Sequence, residues 1–163
     1  MGPASQQSGD TAAAGVMTRP PFLYLACLIL GLVLDQVLPL PLTLPQTALV
    51  RWTAGGLILL GVAIFAAGVR NFFRAATPVP SNQPVRALVT TGIHGWSRNP
   101  IYVGMFLLYA GIGLAARSPW VLILTLPLAI TLRDGVVARE EAYLERRFGD
   151  AYRDYKARVR RWL

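Results

Sequence analysis

Apolar residues fall into four long runs along this 163-residue chain, separated by stretches rich in proline, arginine and small polar side chains. The first run covers residues 22–38 and is interrupted only by Asp35-Gln36. The stretch PLPLTLP at 39–45 ends it, because proline removes a backbone donor and clashes inside a helix. The second run, residues 50–73, is long enough at about 1.5 Å per residue to cross a hydrocarbon core of about 30 Å. A loop at 74–99 follows, then a third run at 100–116, a tight Arg117-Ser118-Pro119 turn, and a fourth run at 120–138 that is uncharged until Arg133-Asp134. The pattern predicts an all-α integral membrane bundle of four transmembrane helices.

Residues 139–163 read differently. Leu144, Phe148, Tyr152 or Tyr155, Val159 and Trp162 recur at helical spacing with charges between them, which predicts a C-terminal amphipathic helix. Gly149-Asp150 is expected to split it, glycine ending one helix and Asp150 capping the next. Residues 1–18 are small, polar and aperiodic and read as a disordered tail, with Met17 an alternative start. They lack the basic n-region of a signal peptide. Residues 19–163 are expected to form a single membrane domain.

Composition removes the main rival. Hydrophobic residues make up 54% of the chain and charged ones only 15%, with a net charge of +8. A soluble domain carries about 25% charge. So little polar surface excludes a water-soluble monomer, and with it the nucleic-acid partner that a basic chain would otherwise invite. One cysteine and one histidine exclude an internal disulfide and leave no metal cluster. Cys27, in LACL, loosely resembles a lipobox, but the apolar stretch before it is too short, and it reads as core filler.

The charge is distributed unevenly. With four spans, one side holds Arg19, Arg70, Arg74, Arg86, Arg98 and eight basic residues from Arg139 onward, and the other only Arg51 and Arg117. Excess Arg and Lys marks the cytoplasmic face, so both termini and the 74–99 loop are expected in the cytoplasm of an inner or plasma membrane protein. The tail, at +3 over residues 139–163, suits an anionic lipid surface.

Three features carry candidate chemistry. In GIHGWSRNPIYVG, Pro100 fits a first helical turn and Asn99 can cap it. The exposed N–H groups and Arg98 then favour an anion, although an arginine at a membrane boundary before a capped helix needs no ligand. Arg133 and Glu140, seven residues apart, are expected to share a helix face, with Asp134 and Glu141 as a parallel pair; a ligand site and a structural ion-pair ladder both remain open. Gly104, Gly111 and Ala115 form a small-residue stripe suited to close helix packing. Asp35 lies near the far interface, where a solvated carboxylate needs no role.

RNPIYVG, followed after one helical hairpin by EEAYLERRFGDAYRDYKARV, resembles the isoprenylcysteine carboxyl methyltransferase and phospholipid methyltransferase superfamily, as does the upstream RALVTTGIHGWS. The resemblance spans residues 78–159. It implies a membrane-embedded enzyme that uses S-adenosyl-L-methionine and methylates a lipophilic acceptor. The implied cofactor positions are Arg86, Ala87, Leu88, Val89, His94, Asn99, Pro100, Ile101, Tyr102 and Glu140; the physical reading adds Arg98 and Glu141. Asn99 replaces the histidine of the prenylcysteine enzymes, and His94 replaces a typical tyrosine. Their substrate-side arginine falls on Val136, leaving Arg133 and Arg139 as the candidate catalytic cations. The acceptor stays open between a carboxylate, a phospholipid amine and a thiol. The rival class is a non-catalytic membrane scaffold or transporter subunit. For the orientation, a cysteine placed at Ser81 is expected to react with an impermeant thiol reagent only from the cytoplasmic side; labelling from outside intact cells would invert the topology.

Overall fold

The computed structural model describes residues 20–42, 44–79 and 85–163. The predicted tail at 1–18, Arg19 and Ser81 lie outside the described residues. Helices are α1 (Pro20–Val37), α2 (Ala48–Arg74), α3 (Pro100–Ala115), α4 (Pro119–Leu132), α5 (Ala138–Phe148) and α6 (Asp150–Arg158). A 3-10 turn, Gly92–Gly95, precedes α3, and a π turn, Arg133–Val137, joins α4 to α5 without a break. No strand occurs among the described residues. Three helices are long and apolar enough to cross a membrane: Pro20–Val37, Ala48–Arg74 and the continuous Pro119–Phe148. The fourth, Pro100–Ala115, is apolar but shorter. The protein is a multi-pass membrane protein.

Local signals explain the ends. Thr47 and Ser118 accept the N–H groups of Val50 and Val121 and so cap α2 and α4. Pro119 and Pro100 occupy first-turn positions where a missing N–H costs nothing. Large apolar side chains such as Leu59, Leu126 and Ile130 point outward, as expected where lipid is the solvent. Trp52 and Trp96, at opposite ends of the α2–α3 pair, are among the most exposed residues, the arrangement of aromatic belts.

Glycine sets the tightest contact, between α2 and α3. A Cβ on Gly104 would lie 2.7 Å from the Gly61 carbonyl oxygen, and one on Gly111 would lie 3.0 Å from the Ala54 carbonyl oxygen. The small-residue stripe is therefore a packing surface. Around it Tyr24, Tyr102, Tyr109, Val121, Leu128, Leu132, Val136 and Val137 form the buried core, with Cys27 packed against it.

The π turn corrects one expectation. In a regular α-helix residues 133 and 140 share a face. Over Arg133–Val137 the wider winding inserts about one extra residue into the turn and rotates everything after it. Arg133 and Asp134 consequently face outward, their side chains 64% and 68% exposed and paired with each other at 3.7 Å. Glu140 and Glu141 face inward and are buried. The ladder of Arg133 with Glu140 does not form.

The tail also differs. It is two helices, broken at Gly149, whose φ of 54° is one that glycine adopts freely. Asp150 is the first residue of α6 rather than its cap; its carboxylate accepts from Arg153. Beyond Arg158 the chain leaves the helix, and Trp162 packs edge-on against Phe106 of α3 at 6.3 Å.

Candidate cofactor site

The C-terminal helices fasten the loop before α3. The Thr77 hydroxyl accepts the N–H groups of Arg86 and Ala87 at 2.8 and 3.4 Å, tying the end of α2 to the returning chain. Val85, almost wholly buried, is held on both sides: its N–H donates to the Tyr143 hydroxyl at 3.2 Å, and its carbonyl accepts from Arg147 Nε at 2.7 Å. The Tyr155 hydroxyl donates to the His94 carbonyl at 2.7 Å. Burial pushes the Tyr155 hydroxyl up to about 12, against the pull of Arg98, so it stays a donor at neutral pH.

Two adjoining cavities open beneath this cover. The larger, about 180 Å3, is walled by Phe65, Val69 and Phe72 of α2, by Pro20 and Pro21, and by Pro100, Ile101, Tyr102 and Met105 of α3. The smaller, about 40 Å3, is walled by Ala87, Leu88, Val89, Leu144, Tyr152, Tyr155 and Glu141. Phe72, His94, Arg98, Asn99 and Glu140 line both. Eleven of the twelve cofactor residues expected from the sequence thus meet in one cleft. Arg86 does not: only its backbone takes part, and its side chain is exposed.

The cleft brings buried charged groups together. Glu140 is 4% exposed, and one of its oxygens accepts from the Tyr102 hydroxyl at 2.8 Å. Glu141, also buried, is shared: Arg161 grips it with Nε at 3.0 Å and Nη2 at 2.7 Å, while Arg98 reaches it with Nη2 alone at 3.1 Å. The Arg98 side chain is only 8% exposed, yet its Nε and Nη1 have no hydrogen-bond partner. Buried donors are nearly always satisfied. Two unsatisfied donors on an arginine that lines both cavities therefore each call for an acceptor.

His94 is held as a neutral ring. Asn71 Nδ2 lies 2.8 Å from the Thr91 carbonyl and 3.3 Å from His94 Nδ1. One amide hydrogen goes to each, so Nδ1 accepts and the ring proton is assigned to Nε2. Phe72 packs edge-on at 5.0 Å. Burial lowers the imidazole to about 4. Gly92 makes the approach of Asn71 possible: its φ is 59°, and a Cβ there would lie 2.7 Å from Asn71 Nδ2.

Asn99 does not cap α3. Its amide turns away and donates to the Arg161 carbonyl at 2.9 Å, leaving the first turn of α3 to other partners. The candidate cations Arg133 and Arg139 are both exposed, and neither lines the two cavities. Arg133 borders an apolar groove between α3 and α4 instead. Sequence reasoning missed Arg161, Asn71 and Phe72. Asn71 and Phe72 sit in an apolar run that gives no local signal, and Arg161 lies beyond the end of the last helix.

The family model described as phospholipid methyltransferase matches residues 49–151. The chain belongs to this family. Over 127 residues it is 33% identical to the protein-S-isoprenylcysteine O-methyltransferase of Rattus norvegicus, covering 71% of this chain and 42% of the relative. A 27-residue stretch, 17% of this chain and 43% of the relative, is 70% identical to an uncharacterized protein of Haemophilus influenzae. The chain spans less than half the length of both. No solved structure matches it.

The neutral His94 gives a signed pH dependence. Its folded value of about 4 lies below the ordinary 6.5, so between these two pH values the unfolded chain binds the extra proton. Stability is therefore expected to be full above pH 6.5 and to fall as the pH drops toward 4. In thermal unfolding at a series of pH values, His94→Asn should flatten that decline; an unchanged slope would assign the acid sensitivity elsewhere.

Proposed function

We propose that the protein is an S-adenosyl-L-methionine-dependent methyltransferase acting on a lipophilic acceptor at the cytoplasmic face of the membrane. The observation that carries the reading is the pair of unpartnered, buried Arg98 nitrogens, Nε and Nη1, beside the uncapped first turn of α3. A cofactor with an amino-acid end supplies the carboxylate both call for. Glu140 is placed to accept from an ammonium or from ribose hydroxyls, and Ala87, Leu88, Val89, Ile101 and Tyr102 to cover an adenine. His94 and Pro100 complete the walls, with Asn99 and Glu141 holding neighbouring groups in position. Arg86 keeps a backbone role, and Arg133 and Arg139 are not assigned to the reaction.

When bound, S-adenosylmethionine supplies an activated methyl group, whose in-line transfer needs alignment and exclusion of water more than acid–base help. The chain meets those needs with apolar walls and a helical cover fastened through Tyr143, Arg147 and Tyr155. Isothermal titration of the detergent-solubilised protein with S-adenosylhomocysteine tests the site. Glu140→Gln and Arg98→Met should each weaken binding by about tenfold or more, the worth of one charge-assisted hydrogen bond, whereas Glu145→Gln, out on the Lys156 pair, should not. No heat of binding to the wild type, or equal effects of all three changes, would overturn the assignment and favour a scaffold or transporter subunit.

For the acceptor, a carboxylate is favoured. It attacks without first losing a proton, as a thiolate does, whereas a phospholipid amine must be deprotonated. His94 is a poor base for that step, since its imidazole protonates only near pH 4. The similarity to the rat protein-S-isoprenylcysteine O-methyltransferase supports an oxygen acceptor, and the family model described as phospholipid methyltransferase supports the amine as the second reading. Mass spectrometry of membranes given an isotope-labelled methyl donor should find the label in an alkali-labile methyl ester that depends on the protein. Label confined to phospholipid headgroups would assign the amine.

A further inference from the structure

The last residues of the chain run back across the start of α3 and touch the site in three ways. The Arg160 carbonyl accepts the Arg98 N–H at 3.0 Å. The Arg161 carbonyl accepts from the Ser97 hydroxyl at 3.4 Å and from the Asn99 amide at 2.9 Å. The Arg161 guanidinium then takes Glu141 in a two-point grip. Two carboxylate oxygens offer an arginine a two-point fit wherever they are free to turn to it. Arg98 lies beside Glu141 with two unused nitrogens, yet it receives a single contact, on the Oε1 that Arg161 Nε also holds, while Arg161 takes both oxygens.

We propose that Arg161 is a positioning residue that keeps the anion site open: its side chain diverts Glu141 from Arg98, and its carbonyl diverts Asn99 from capping α3. Both effects leave donors for a ligand carboxylate. The inference rests on the cofactor reading above and adds to it a residue outside the matched motifs. Trp162 anchors the strap against Phe106, and the Arg160 and Arg161 carbonyls hold it to the loop. None of these contacts needs the Arg161 side chain, so the strap is expected to survive its replacement.

The test is isothermal titration of the full-length protein with two probes, S-adenosylhomocysteine and 5′-methylthioadenosine, which shares the nucleoside thioether but lacks the carboxylate. Arg161→Gln frees Glu141 to chelate Arg98. It should weaken S-adenosylhomocysteine by about tenfold, the loss expected of one hydrogen bond to a charged group, and leave methylthioadenosine unchanged. Adding Glu141→Gln to that variant removes the competitor and should restore the affinity. A merely structural Arg161 predicts the opposite, a second loss on top of the first. Arg161→Lys, which keeps the charge but not the fork, should give a partial loss confined to S-adenosylhomocysteine. The proposal is overturned if Arg161→Gln, or Arg161→Lys where the glutamine variant does not fold, binds both probes as the wild type does. It is equally overturned if the double variant binds worse than the single one. A wild type that binds neither probe overturns the cofactor reading itself, whereas a wild type that binds both with no Arg161 effect overturns only this inference.

Discussion

The arrangement of the cleft depends on one buried carboxylate claimed by two arginines. Glu141 comes from α5, Arg98 from the loop before α3, and Arg161 from the end of the chain. Glu141 is the shared member, and without it the buried Arg98 would be left with no carboxylate partner. Because Arg161 makes the better bond, the arginine beside the cavity is left with unused donors. The polar centre of a mostly apolar protein is thus a tie between segments and, in the proposed reading, the binding surface as well.

That tie exists only because the helix carrying Glu141 is out of phase with the span below it. The π turn at Arg133–Val137 rotates α5, turning Arg133 and Asp134 outward and Glu140 and Glu141 inward. Val136 and Val137 fill the core at the same level, so the turn exchanges charged residues for apolar ones where the helix meets the bundle. Such π turns are rare and concentrate at functional sites. Here the gain is two carboxylates delivered to a cleft that a regular helix would have supplied with one face of mixed charge.

Most of the architecture was legible in the sequence. Four apolar runs, the Pro100 helix start and the Gly149 break follow from hydropathy and backbone chemistry that act locally. The grouping of residues 87–89, 94, 99–102 and 140 was legible through the family resemblance, which carries long-range contacts that local rules do not, and Arg98 and Glu141 were added by the charge and helix-terminus reading. The phase of α5 was not: the sequence RDGVV bears no signature that separates a π turn from an α turn, and one inserted residue reverses the facing of everything after it. Nor was the return of Arg161 across α3, because its carbonyl bonds to Ser97 and Asn99 are backbone contacts indifferent to residue type. Asn99 shows the same limit. It has the composition of a cap, and a tertiary acceptor outcompetes the local one.

The central claim is that Arg98 and the first turn of α3 receive a carboxylate in a cleft covered by α5 and α6. The most direct measurement is an experimental structure of the protein in lipid nanodiscs with S-adenosylhomocysteine bound. The account predicts the ligand carboxylate hydrogen-bonded to one of the free Arg98 nitrogens, with Glu141 still held by Arg161 and Glu140 facing the ligand. A ligand bound away from Arg98, or an Arg98 chelated by Glu141 with the carboxylate elsewhere, would contradict it.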